Sequence, residues 1–286
     1  MEPKKPTTFD EQISILKSKN ILVDDEQACL DFLSKVNYYR FSAYFLPFKQ
    51  SDGLCCDGVT FEQLKQIYDF DKNLRPLIFK VIDDIEISVK TQIAYYHSHK
   101  YGALGYMSPS AFGNKHDHID FMNRVNGCID ENKKTLIVKH HKEKYDGQFP
   151  LWVIIEFFSI GMVSHFFTDL STADQKNISK GLNNANYANM RSWMRCITDL
   201  RNKCAHYSRL YYSVFPAVPK IPTGISYKPT RRLFGQLFML KLIYPYPEKW
   251  NSEFVLPLSD LIDRFSPFVD ISHMDFPDNW RDILSF

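Results

Sequence analysis

The chain has 286 residues, of which 44% are hydrophobic and 15% aromatic, and its formal net charge is +2. That is enough apolar material for a buried core and too much for a disordered chain. No run approaches the ~20 uncharged residues of a membrane span, the N-terminus lacks the apolar centre of a signal peptide, and the six cysteines show no metal-ligand spacing. A cytoplasmic protein with reduced thiols, no metal and no cofactor is expected.

Helical periodicity dominates and no series of alternating strands is present, so the expected fold class is all-α. Thr8-Phe9-Asp10-Glu11 and Thr60-Phe61-Glu62-Gln63 have capping-box spacing and predict helices starting near Phe9 and Phe61. Another helix is expected near Asp25 to Lys35. Phe61 to His99 reads as a long amphipathic helix that Pro76 should kink or split. Further helices are expected near Ile119 to Lys133, Leu151 to Leu170, Thr172 to Lys180 and Asn189 to Tyr212. Four prolines and Gly224 between Ser213 and Thr230 predict a structured loop. Arg231 to Tyr244 and Asn251 to Phe265 read as closing helices, the second disturbed by Pro257. Residues 1–50 form an expected N-terminal helical extension on a main unit of residues 51–286.

Within Asn189 to Tyr212 the residues sort by face at about 100° per residue. Trp193, Ile197, Leu200, Cys204, Tyr207 and Tyr211 fall on one apolar stripe. Arg195, Asp199, Asn202, His206 and Arg209 fall on a polar one. Arg201 belongs to neither, sitting roughly 140° from His206 on the wheel. Either its side chain curls round, or the helix bends, or a second copy of the chain completes the arrangement.

Charge is uneven along the chain. Arg191 to Pro247 holds ten Lys or Arg against the single acid Asp199, which makes this stretch +9 and the remainder −7. A basic stripe suits a phosphate backbone. Arg191, Arg195, Lys203, Arg209, Arg231 and Arg232 are the candidate RNA-binding residues, joined by Lys139 and Lys142 from a second basic cluster.

Arg201, Asn202 and His206 are side chains able to cut RNA without a metal. Histidine as a residue type titrates near neutral pH, which makes His206 the candidate general acid or base. Arg201 would hold the phosphate with its fork, and Asn202 would orient His206 or a phosphate oxygen. The products would be a 2′,3′-cyclic phosphate and a 5′-hydroxyl. One helix supplies one His, so an acid-base pair of histidines would require a homodimer. Glu86 and Glu156 lie on apolar helical patterns where a carboxylate needs a partner, and an Arg of the motif is the expected one. Tyr39 and Arg40 are candidates for stacking on bases. The pairs His97 and His99, His116 and His118, His140 and His141 lack helical ligand spacing, and no Walker loop, GxGxxG or GxSxG is present.

Arg201-Asn202 followed by His206 resembles the R-x4-6-H signature of HEPN-domain ribonucleases. Over nearly the whole chain, Lys5 to Gln12, Asn37 to Tyr44, Ile85-Glu86, Pro150 to Glu156, Ser159-Ile160-Gly161, Arg201 to Leu210 and Phe276 to Trp280 resemble, in order and spacing, the Abi-like abortive-infection proteins of the AbiD/AbiF type. One departure is Tyr212, where that family commonly has Asn. The resemblance implies a HEPN-type helical bundle, homodimerisation, RNA as ligand and phage defence. The function expected is a metal-independent endoribonuclease toxin. The alternatives are a non-catalytic protein holding a small regulatory RNA, or a HEPN toxin with a target other than RNA.

Overall fold

A computed structural model describes residues 5–286, and the N-terminal reading that falls on residues 1–4 lies outside them. Among the described residues the fold is all-α, with two isolated β-bridges, Leu22 to Thr60 and Lys49 to Cys55, in place of any strand. No helix among them is long and apolar enough to cross a membrane.

The N-terminal helices are α1 (Phe9–Ser18), α2 (Glu26–Leu33) and α3 (Tyr38–Ser42). The capping box at α1 is complete: Thr8 Oγ1 accepts from the Glu11 amide, and the Thr8 amide donates to Glu11 at 2.7 Å. Ile13, Leu16, Cys29, Leu33, Phe41 and Phe45 form an apolar cluster separate from the main core. It continues through Cys55, Val59, Phe61 and Leu64, so the packing of the extension runs past residue 50 into the next helix.

That helix, α4 (Phe61–Tyr101), is 41 residues long, about 60 Å, and Pro76 does not split it. A proline inside a helix costs about 3 kcal/mol. Pro76 is exposed, while Phe70, Leu74, Ile78, Val81, Ile82 and Ile85 are buried on both sides of it, each such burial being worth about 1.5–3 kcal/mol. Packing on either side of the proline outweighs the lost hydrogen bond.

Next come α5 (His118–Glu131), α6 (Leu136–Lys144), α7 (Leu151–Ile154), α8 (Ile160–Asp169), α9 (Thr172–Lys180) and α10 (Tyr187–Ala205). The single helix expected over Leu151 to Leu170 is broken. After a 3-10 turn at Ile155–Phe157 the chain is extended at Phe158, and Ser159 caps α8 by accepting the Met162 amide at 3.2 Å. The serine satisfies one of the N–H groups that the new helix start leaves without an intrahelical partner.

The remaining helices are α11 (Leu233–Ile243), α12 (Pro247–Trp250), α13 (Leu256–Phe265) and α14 (Trp280–Leu284). Pro257 stands in the first turn of α13, behind a π turn at Asn251–Val255, where its missing N–H is tolerated.

The helices close on one large core through α4, α10 and α11. Of the histidine pairs, His97 and His116 enter this packing, while His99 and His140 are exposed. His116 bonds to Asp169 at 2.9 Å and to His118 at 3.3 Å. His97 is fully buried against Tyr101, Phe112 and Phe166, and neither of its ring nitrogens has a partner.

Candidate functional site

The motif helix α10 packs antiparallel to α4, and it ends earlier than its periodicity predicts. His206 is its C-cap, and Tyr207 takes the left-handed conformation at φ 55°. The Tyr207 amide donates to the Cys204 carbonyl and the Ser208 amide to the Lys203 carbonyl, at 3.2 and 2.8 Å, which is the Schellman closure of a helix. Residues beyond Tyr207 therefore leave the helical wheel. Tyr207, expected inside, is 68% exposed, and Tyr211 is buried by a different route.

Asp71 holds that route. Fully buried on α4, its carboxylate accepts from the Leu210 amide, from the Tyr211 amide at 2.8 Å, from Tyr44 Oη at 2.7 Å and from Arg75 Nη1 at 2.6 Å. Burial pushes the Asp71 pKa up, opposed by Arg75, Tyr44 and the two amides. Every one of these neighbours is a donor, so the pocket is built for the ionised carboxylate. Arg75 also reaches the Ser208 carbonyl at 3.5 Å, and Arg40 on α3 donates to the Tyr207 carbonyl. Arg40 is thus a clasp on the motif turn, with Tyr39 beside it exposed to solvent. Sequence reasoning missed Asp71, Arg75 and Tyr44. The available signal was a charged pair four residues apart on the apolar stripe of α4.

Arg201 turns toward α4. Its Nε lies 4.0 Å from Glu86 Oε2, and its guanidinium carbon is 5.7 Å from the centre of the Phe79 ring. Glu86 also pairs with Lys90 at 3.0 Å, and Lys90 Nζ donates to the Glu156 carbonyl. One carboxylate thus faces two cations, leaving one positive charge at the centre of the site. Arg201 Nε itself is buried without a hydrogen-bond partner. Glu86 is the acid that meets the motif; the Glu156 side chain is exposed and contributes its carbonyl instead.

Asn202 and His206 are both exposed, and the Asn202 carbonyl accepts the His206 amide at 3.0 Å. Beside them an open groove of about 800 Å³ runs between α4 and the end of α10, lined by Lys72, Pro76, Phe79, Lys80, Cys204 and Tyr207.

The candidate basic residues divide. Arg191 and Arg195 on α10 are exposed, as are Lys139 and Lys142 on α6. Lys203 lies over the Phe215 ring at 5.5 Å, and burial pushes its pKa down. Arg209 is off the polar stripe, half-buried, with burial acting the same way. Arg231 Nε donates to the Phe215 carbonyl at 2.6 Å, and Arg232 donates to the Tyr212 carbonyl while covering the Tyr212 ring. These two arginines clamp the ends of the proline-rich loop.

The profile of the Abi-like protein family matches residues 31–212, ending one residue past the Asp71-bound Tyr211. The chain belongs to the Abi-like family. Membership points to abortive infection, a form of phage defence. The matched span of this Abi-like protein contains the Arg40 clasp, the Asp71 hub, the Glu86 pair and the whole of Arg201 to His206. No curated protein and no solved structure matches the chain.

Proposed function

We propose that this Abi-like protein is a metal-independent endoribonuclease of HEPN type acting in abortive infection. The observation that carries the reading is the end of α10, where Arg201 shares one carboxylate with Lys90 while Asn202 and His206 face solvent. A phosphodiester brought to this surface would meet an uncompensated guanidinium, and the RNA 2′-hydroxyl would supply the nucleophile that DNA lacks. His206 would move the proton, and Asn202 would orient it.

Homodimerisation across the motif helices is part of the proposal. Ile87, next to Glu86, is 54% exposed, and Trp152, which shares a groove with Glu156, is 52% exposed. Exposed apolar side chains flanking a charged site suit a self-complementary two-fold contact.

The test is cleavage of single-stranded RNA in EDTA by the protein and by its His206→Ala and Arg201→Ala variants. Cleavage leaving 2′,3′-cyclic phosphate ends, absent in both variants, is expected. Activity lost on chelation and restored by a divalent ion would remove the metal-free mechanism. RNA bound by all three proteins and cleaved by none would favour a holder of regulatory RNA.

A further inference from the structure

A second groove, on the α8 side of α10, carries a polarity that phosphate binding alone does not explain. It has a volume of about 820 Å³, within the range of nucleotide-sized pockets, and is lined by His165 of α8, by Arg191, Ser192, Arg195 and Asp199 of α10, and by Lys220 of the proline-rich loop. Small residues keep it open: the Thr198 methyl lies 3.7 Å from where a Cβ on Gly161 would stand.

Lys220 is held in place over it. Its carbonyl accepts the Trp193 indole N–H at 2.6 Å, and its amide donates to Ser192 Oγ at 3.1 Å, while its side chain remains exposed. Three cations thus stand around the groove. Among them is Asp199, the one acid in the basic stretch, whose Oδ2 is buried with no hydrogen-bond partner. A buried acceptor left without a donor is destabilising. A phosphodiester has no donor to offer it. A nucleotide does, on its base.

We infer that this groove is a base-reading subsite for single-stranded RNA, in which Arg191, Arg195 and Lys220 hold phosphates and Asp199 accepts from the donor edge of a guanine. Guanine is the RNA base that presents two adjacent N–H donors, N1–H and the 2-amino group, to a carboxylate. Adenine and cytosine present an amino group next to an acceptor, and uracil presents one N–H between two acceptors. The His165 ring lines the same groove and supplies a surface for stacking. Asp199 stands one turn before Asn202 on the same helix, so a base held here belongs to a strand that reaches His206. The assignment rests on RNA being the ligand of the motif, and not on its being cut.

The experiment is binding by full-length His206→Ala protein, followed by fluorescence anisotropy, of uridine octamers carrying one central guanosine, inosine, adenosine or cytidine. Guanosine should bind at least tenfold tighter than adenosine or cytidine, with inosine between, since it lacks only the 2-amino group. Adding Asp199→Asn should bring all four within about twofold. Adding Arg195→Ala should weaken all four alike and lower the salt slope by about 0.7. Equal binding of the four octamers with Asp199 intact, or a guanosine preference that survives Asp199→Asn, would overturn the assignment. Cleavage by the unsubstituted protein, measured in parallel, separates the two readings. Cleavage without base preference removes the Asp199 subsite alone, whereas guanosine-selective binding without cleavage upholds the subsite and removes the nuclease.

Discussion

The Asp71 carboxylate accepts the Tyr211 amide hydrogen at 2.8 Å, across 140 positions of sequence, and this contact fixes where the chain goes after the motif helix ends. Together with Arg40 on the Tyr207 carbonyl, Arg75 on the Ser208 carbonyl and the burial of Leu210 and Tyr211, it turns the segment after His206 back onto α4. The position of His206 therefore depends on a group that is not on its helix.

Asp71→Asn should destabilise the fold by about 3–5 kcal/mol, because Arg75 is left as a buried charge with no counter-ion. Urea unfolding should show a lower midpoint with an unchanged slope. Pairing Asp71→Asn with Arg75→Met should recover part of the loss. If the double variant is no more stable than the single one, the ion pair is not the source.

Tyr207 holds a left-handed conformation that glycine adopts without strain, and its side chain is largely exposed. Tyr207→Gly should stabilise by about 1 kcal/mol, and Tyr207→Ala should not. Thermal unfolding of the two variants decides it. A lower midpoint for the glycine variant would show that the Tyr207 ring contributes more than its backbone conformation loses.

Burial pushes His97 down to about 4, with Asp174 opposing and Lys100 assisting. The folded state thus resists a proton that the unfolded chain accepts near 6.5. Stability from this residue is full above about pH 6.5 and is lost as pH falls toward 4, by roughly 3 kcal/mol at most. His97→Phe should flatten the profile between those limits. An unchanged acid profile would mean that other groups carry the dependence.

If the working unit is a dimer with both motifs in one composite site, mixing Arg201→Ala with His206→Ala protein should leave RNA cleavage near background. Independent sites that exchange residues would instead restore one intact site per heterodimer. Apposing two basic segments is repulsive, so RNA should strengthen the dimer and salt should release the RNA first. Light scattering with and without RNA reads this directly, and a fully active monomer would remove the composite site.

Much of the fold was legible because it rests on local chemistry. The capping threonines Thr8 and Thr60 and the apolar stripe of α4 announce their helices within a few residues. The end of α10 was not legible, since no glycine or proline marks it. A tyrosine occupies the left-handed position, and the turn is held by Arg40, Asp71 and Arg75, far away in sequence. Residue type and spacing were enough to single out Arg201, Asn202 and His206 as candidates. Charge counting did worse, because it cannot tell Arg195, which faces solvent, from Arg232, which is half-buried with its guanidinium tied to the Tyr212 carbonyl.

Asp71, Arg75, Phe79, Glu86 and Lys90 lie along one face of α4, so that helix acts as a ruler laid against the motif. Asp71 grips Tyr211 and Glu86 faces Arg201, fifteen residues or about 22 Å apart along the rod. One residue inserted between Arg75 and Glu86 would rotate the second grip by about 100° relative to the first, and both could not then be made at once. Chain length in this interval is thereby locked, while the solvent-exposed tip of the proline-rich loop, near Gly224, is under no such register.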